Sequence, residues 1–448
     1  MDLINKNITV VGARKSGIGA AKLIKQFGGI PFVSDSNNEE NLKEYIKLIK
    51  KERIAYETGG HSEKVYACDL IVVSPGVPSD SKVILEAGKR GKRIISEIEL
   101  AYNFCKGNII AITGTNGKTT TTSLCEHVFN KCGIKTYAAG NIGLAFSEIV
   151  LAIKQNEVVS LEVSSFQLDL IDKFKPKIGM ILNITPDHLN RYENKLENYI
   201  NSKLSIYKNQ DKEDYLILNK DNAATLNSII EPKSRIFYFS LKEGVDNGCY
   251  CSMDNIYYKE DGRELFKCSL GNINLKGEHN YANAMAVIIA AKIMGLDNNK
   301  IKGALGDFQG VEHRLEFVRE INGVKFINDS KATNIDSVWY ALRSFNNSIF
   351  LILGGQDKGN DYNQIKELVK EKVKKIYAIG SSADKIFNFF HSMIKVEIQP
   401  SIESAVAAAN KEARENDIVL LSPACASFDM FQNYEHRGKV FKEAVKKL

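Results

Sequence analysis

Ala111-Ile112-Thr113-Gly114-Thr115-Asn116-Gly117-Lys118-Thr119-Thr120 is the stretch from which the fold can be read. An apolar run, Asn108 to Ile112, leads into it, and a helical run, Thr121 to Lys131, leaves it. Strand, glycine-bearing turn, Lys-Thr and helix together make a phosphate cradle. The glycines let backbone N–H groups converge on an anion, and the helix N-terminus adds partial positive charge. Lys118 brings a full charge to the terminal phosphates, and the Thr119 hydroxyl suits a magnesium ion. The loop is shorter than the standard phosphate loop, which has a glycine where this chain has Ile112. A glycine-rich turn without a ligand is the plain alternative, and the co-occurrence of all four parts argues against it.

Around this loop, the 448 residues suggest two to four domains with ample core. Hydrophobic residues make up 44% and charged residues 25%, as in soluble globular proteins. The net charge of +6 is spread along the chain, lysines interleaved with acids. That argues against a nucleic-acid partner and fits anionic substrates. The longest apolar runs, such as Ala284 to Ala291, are too short to span a bilayer, so no membrane insertion is expected. The N-terminus enters a strand pattern at once, without a signal peptide. None of the eight cysteines forms a C-x-x-C pair, which fits free thiols in a reducing cytoplasm. Cys249, Cys251 and Cys268 could be imagined on zinc, but a fourth ligand is not evident.

N-terminal to the loop, Ile8 to Val11 reads as a buried strand, followed by Gly12-Ala13-Arg14-Lys15-Ser16-Gly17-Ile18-Gly19, a helix to about Gln26, and a strand Ile30 to Val33 ending at Asp35. This opens a dinucleotide-type fold. Arg14 breaks the glycine fingerprint, which argues against NAD and leaves a nucleotide diphosphate near Lys15, Ser16, Asp35 and Ser36. A further strand, Asp69 to Val73, ends at Ser74 and a Pro-Gly-Val-Pro turn, on the carboxyl edge where ligands sit in such folds. Turn chemistry alone also explains that turn. Glu97 and Glu99 lie in a linker or helix start.

Downstream, Thr136 to Gly143 is a strand ending in a Gly-Asn turn, and Val158 to Ser165 is an apolar strand carrying Glu162 near its end, where a magnesium ligand is needed. Ile178 to Asn183 is another buried strand, followed by a loop with His188. A helix, Leu196 to Asn209, carries Lys203. Residues 240 to 276 read as an antiparallel patch. Asn280 and Asn283 fall one turn apart at the start of an alanine-rich helix, where Asn280 could equally be a cap. Beyond a joint at Gly310 to Glu316, strands at Val324 to Asn328, Ile349 to Leu353, Lys375 to Ile379 and Ile418 to Ser422 alternate with helices, implying a second doubly wound sheet. Asn328 to Asn334, Gly354 to Lys358 and Ser422 to Asp429 then share one carboxyl edge and can converge on one ligand.

These motifs carry a resemblance. Gly114 to Thr120 resembles the ATP loop of the Mur ligases and of folylpolyglutamate synthase, and Thr185-Pro186-Asp187-His188-Leu189, Gly277 to Ala284 and His313-Arg314-Leu315-Glu316 resemble the same superfamily. Asn328-Asp329-Ser330-Lys331-Ala332-Thr333-Asn334, with Ser422 to Asp429 and Asn433 to Gly438, is similar to the D-glutamate-adding branch of the Mur ligases. The Asp-x-Pro-Arg motif of the diaminopimelate- or lysine-adding branch is absent from the sequence.

The resemblance implies an α/β chain of three domains: a Rossmann-like UDP-substrate domain (1–96), a central P-loop-type ATPase with a mostly parallel sheet (97–310) and a C-terminal Rossmann-like amino-acid domain (311–448). It implies ATP-driven addition of D-glutamate to UDP-N-acetylmuramoyl-L-alanine through an acyl phosphate, in cytoplasmic peptidoglycan synthesis, by a monomer. Lys118, His188 and Lys203 would be catalytic. Gly114, Thr115, Asn116, Gly117, Lys118, Thr119, Thr120, Asn283, Arg314 and Asp329 would hold ATP. Lys15, Ser16, Asp35, Ser36, Ser74, Asn141 and His188 would hold the UDP-substrate. Lys331, Thr333, Lys358, Ser427 and Phe428 would hold D-glutamate. Two Mg2+ ions would sit on Thr119, Glu162, His188 and Lys203, the last as a carbamate made with carbon dioxide. The rival readings are another Mur ligase, a folylpolyglutamate synthase-like ligase, a non-catalytic nucleotide sensor, and an NAD-dependent oxidoreductase.

Overall fold

The computed structural model describes residues 1–78, 80–187, 189–357 and 359–448, Asn190 by its backbone alone. Among the described residues the strands pair into three sheets, whose central strands, such as those at Leu70–Val73, Ile178–Ile181 and Ile418–Leu421, are apolar and buried throughout. The first has β1 (Asn7–Val11), β2 (Ile30–Asp35), β3 (Ala55–Thr58), β4 (Leu70–Val73) and β5 (Ile94–Ser96) in the order β3-β2-β1-β4-β5, all parallel. The second has β6 (Asn108–Thr113), β7 (Thr136–Gly140), β8 (Val158–Glu162), β9 (Ile178–Ile181), β10 (Tyr215–Asn219), β11 (Arg235–Ser240), β12 (Gly248–Ser252), β13 (Asn255–Glu260) and β14 (Arg263–Ser269). Its order is β14-β13-β12-β11-β10-β9-β6-β8-β7. β12 joins β11 in parallel, and β12 to β14 form the antiparallel patch expected there.

The third sheet has β15 (Glu316–Ile321), β16 (Val324–Asn328), β17 (Ile349–Gly354), β18 (Val373–Ile379), β19 (Lys395–Ile398) and β20 (Ile418–Leu421), in the order β15-β16-β20-β17-β18-β19. Only β15 is antiparallel. Alternate residues go to opposite layers: Ile327, Leu351 and Leu420 to one apolar cluster, Phe326, Ile352 and Leu421 to the other.

The sheets fall into two compact units. Met1–Asn274 with Asn280–Phe308 holds the first two sheets; Leu275–His279 with Gln309–Leu448 holds the third. Within the first unit one apolar cluster runs from Ile8 and Val10 through Ile98 to Ala111 and Val159. Two helices differ from the sequence reading. The one after the His188 loop is Leu196–Leu204, then a single tighter turn, Ser205–Tyr207, where Ser205 Oγ donates to Asn201 O at 3.1 Å and competes with the helix ladder. The alanine-rich helix starts at Glu278, so Asn280 is inside it and buried rather than a cap.

Candidate functional site

The phosphate loop leaves β6 at Thr113 and enters the helix Lys118–Cys132. Asn183, just past β9, clamps it. Its carbonyl accepts from Thr115 N at 2.8 Å, its Oδ1 accepts from Asn116 N at 2.8 Å, and its Nδ2 donates to Asn116 O at 3.0 Å. Thr115 Oγ1 donates to Thr185 O and accepts from Thr185 N, both at 3.0 Å, which fastens the loop to the segment leading to position 188. Gly117 adopts φ +86°, and a Cβ there would stand 2.5 Å from Asn283 Oδ1. Only glycine lets the loop approach Asn283, whose buried Nδ2 has no hydrogen-bond partner among the described residues. Lys118 Nζ donates to Gly114 O and Thr115 O, each at 2.9 Å, and so is held over the loop.

Beside it, β8 delivers Glu162. Thr119 Oγ1 donates to Glu162 Oε2 at 2.8 Å, and Asn141 Nδ2 donates to Glu162 Oε1 at 3.2 Å; Thr119 and Glu162 are both buried. Lys203 is only 1% exposed, unlike an ordinary solvated helix lysine. Its Nζ donates to Gly114 O at 2.9 Å and lies 4.6 Å from the Tyr199 ring centre. Burial, reinforced by the Lys118 charge, pushes its pKa well below that of an ordinary lysine, against Asp187, Asp169 and Glu162. Lys118, Thr119, Glu162 and Lys203 thus come together. His188 lies outside the described residues. Gln167, which sequence reasoning missed, is buried, and its Nε2 has no partner among the described residues.

In the first sheet, Asp35 Oδ2 accepts from Ala13 N at 2.7 Å and Oδ1 from Asn37 N at 2.8 Å, which joins the turns after β1 and β2. Ser74 Oγ donates to Gly12 O at 3.2 Å. Gly12 takes φ +103°, with room for no Cβ: it would lie 2.8 Å from Ser74 Cβ. Lys15 and Ser16 open the helix Lys15–Gln26; Arg14, Lys15 and Ser36 are exposed.

In the second unit, two loops at the carboxyl edge are tied by Arg437, which is 1% exposed. Its Nε donates to Ser330 Oγ at 3.0 Å, Nη2 to Ser330 O at 2.8 Å and Nη1 to Cys425 O at 3.1 Å. Burial lowers its pKa to about 10, so it stays charged. Asp329 is buried, accepts from Ser422 Oγ at 2.8 Å and from Leu315 N at 3.2 Å, and is pushed up to about 7 by burial, against Arg314. Arg314 Nε is buried with no hydrogen-bond partner among the described residues. Lys331 Nζ stands 5.2 Å from the Tyr434 ring centre, Ser427 is buried, and Phe428 is 67% exposed. Thr333 is half-buried; Lys358 lies outside the described residues. Glu312, His313 and Glu316 cluster, but Lys442 bridges the two glutamates at 2.6 and 2.8 Å, which makes the group an ion-pair network. Among the described residues the three central cysteines do not converge as metal ligands.

Residues 11–83 match the MurD N-terminal domain, 112–291 the Mur ligase middle domain and 313–425 the Mur ligase, glutamate ligase domain. The UDP-N-acetylmuramoylalanine–D-glutamate ligase of Chloroherpeton thalassium is 42% identical over 468 residues, covering 100% of this chain and 99% of that one. The chain belongs to the MurD branch of the Mur ligase family. Among solved structures, the MurC UDP-N-acetylmuramate-alanine ligase of Thermotoga maritima shares the fold with a TM-score of 0.65 at 19% identity, over 99% of this chain and 100% of that one. The MurF ligase of the same organism, solved in complex with ADP, has a TM-score of 0.61 at 15% identity, over 93% and 95%. For a MurD-family chain, the buried hydroxyl of Thr119 against the buried carboxylate of Glu162 is a hard-oxygen pair that fits magnesium.

Proposed function

We infer that this chain is an ATP-dependent ligase that adds D-glutamate to UDP-N-acetylmuramoyl-L-alanine through an acyl phosphate, in cytoplasmic peptidoglycan precursor synthesis. Its likeness over full length to the D-glutamate ligases supports the substrates. The single observation that carries the chemistry is the meeting of Lys118, Thr119, Glu162 and Lys203 at one phosphate loop. We take each sheet with its helices as one domain, at 1–96, 97–310 and 311–448, and the protein as a monomer. Among the described residues no helix is long and apolar enough to cross a membrane.

A carboxylate does not condense with an amine unaided, because its oxygen is a poor leaving group. In the proposed reaction the substrate carboxylate attacks the γ-phosphorus of ATP, and ADP leaves with the bond electrons. The D-glutamate amine then adds to the acyl carbon, and phosphate departs. The protein's part is to position and to neutralise charge. Backbone N–H groups of Gly114 to Thr120 cradle the phosphates, Lys118 turns its ammonium from the loop carbonyls to the β/γ oxygens, and Asn283, Arg314 and Asp329 hold the rest of the nucleotide. Thr119 and Glu162 would hold one magnesium ion, and His188 with Lys203 a second; magnesium supplies charge neutralisation at the phosphoryl oxygens.

The low basicity of Lys203 supports a carbamate there. A neutral amine attacks carbon dioxide, loses a proton and becomes an oxygen-donor anion. Lys15, Ser16, Asp35, Ser36, Ser74, Asn141 and His188 would hold the UDP-substrate, and Lys331, Thr333, Lys358, Ser427 and Phe428 the D-glutamate. The test is ADP release with UDP-N-acetylmuramoyl-L-alanine, offering D-glutamate, L-glutamate, L-alanine and L-lysine in turn. Turnover with D-glutamate alone is expected; preference for another amino acid overturns the assignment.

A further inference from the structure

Beside Asp35 lies a polar cluster that the proposed site residues do not use. The loop after β3 is laid against the turn after β2: Gly59 N donates to Asn37 O at 2.8 Å and Gly60 N to Asp35 O at 3.4 Å. This brings three side chains together. Ser34 Oγ is 2.7 Å from Glu57 Oε1 and 2.7 Å from His61 Nδ1. Glu57 also accepts from Ser62 N at 2.9 Å and from Ser62 Oγ at 2.6 Å.

Counting protons fixes the histidine tautomer. Burial pushes the Glu57 pKa up, but the bonds from Ser62 and Ser34 outweigh it and hold the group below its ordinary value, so it is ionised and can only accept. The one hydroxyl proton of Ser34 therefore goes to Glu57. The remaining contact of Ser34 Oγ is satisfied only if Nδ1 of His61 carries the ring proton and donates. Burial lowers the His61 pKa despite Glu57 and Asp35, so the neutral ring prevails near neutral pH. Nε2 is then a lone-pair acceptor, and it has no hydrogen-bond partner among the described residues.

An acceptor on a neutral ring that feels the charges of Glu57 and Asp35 repels phosphate and suits an N–H or O–H donor. The phosphates belong instead with Lys15 and the N-terminus of the helix Lys15–Gln26. We propose that Nε2 of His61 accepts a hydrogen bond from the nucleoside of the UDP-substrate, from a base N–H or a ribose hydroxyl, beside Asp35. The proposal rests on the UDP-substrate reading of this sheet.

The test uses calorimetric binding of UDP to the full chain. His61→Asn keeps a donor near Nδ1 and removes the acceptor at Nε2, whereas His61→Gln places an amide oxygen near Nε2. His61→Asn is expected to weaken UDP about ten-fold and His61→Gln distinctly less, with KM for ATP and D-glutamate unchanged. N3-methyl-UDP and 2′- and 3′-deoxy-UDP identify the donor: the analogue lacking it binds wild type more weakly than UDP does, and the difference shrinks in His61→Asn. Unchanged UDP binding by His61→Asn overturns the proposal, as does an analogue series that loses equally in both proteins. If wild type fails to bind UDP at all, the functional reading of the first sheet falls with it.

Discussion

Glu97 offers a quantitative test of how the first two sheets are joined. It opens the helix Glu97–Tyr102, is 1% exposed, and accepts from Ser147 N at 2.6 Å through Oε1. Its Oε2 and the nearby Ser147 Oγ have no hydrogen-bond partner among the described residues. Burial pushes its pKa up from 4.5 to about 7, opposed by Ser147 and reinforced by Glu148. Because the folded pKa is raised, the contribution to stability is full below the unfolded value and is lost as pH rises through about 7. The loss grows from under about 1 kcal/mol near pH 5 to about 3 kcal/mol near pH 8. Glu97→Gln keeps an oxygen for Ser147 N and cannot ionise. Thermal unfolding of both proteins should therefore give midpoints that diverge as pH rises, the variant ending about 6 °C above wild type near pH 8. A midpoint difference that stays constant across this range refutes the reasoning.

Three further outcomes follow from the phosphate loop. Lys118→Ala should abolish ADP release while circular dichroism and melting stay near wild type; near-normal ADP release would contradict its role. Asn183→Ala removes two side-chain bonds to Asn116 and should raise KM for ATP roughly ten-fold, with KM for D-glutamate unmoved, as read by steady-state kinetics. Lys203→Ala should be nearly inactive and partly restored by acetate or formate, and mass spectrometry of active wild type held under carbon dioxide should show one added carbon dioxide at Lys203; an unmodified lysine in active enzyme would refute the carbamate.

Local chemistry was legible in the sequence where neighbours along the chain create it. The strand, loop and helix around Lys118 lie within one short segment, and so do the carboxyl-edge turns at Ser74 and Asn328. What was not legible depends on distant segments meeting. Lys203 reads as a surface helix lysine until Gly114, 89 residues away, receives its ammonium. Asn183 reads as the end of a strand, and its clamp exists only because β9 lies beside β6. Arg437 sits in the Asn433–Gly438 motif of the second unit, but its side chain bonds to Ser330 and Cys425 in two other loops, a packing relation no spacing encodes. A sequence signal was available for Gln167: Ser164 with Gln167 three residues on is a capping-box pattern, which the structure contains.

The most direct test of the central claim follows the oxygen atoms of the substrate. UDP-N-acetylmuramoyl-L-alanine labelled with 18O in its alanyl carboxylate is turned over with ATP, magnesium and D-glutamate, and product and phosphate are weighed by mass spectrometry. Activation as an acyl phosphate predicts a product heavier by one glutamyl residue and one labelled oxygen in each phosphate released. Label-free phosphate, or ATP hydrolysis without the heavier product, would contradict it.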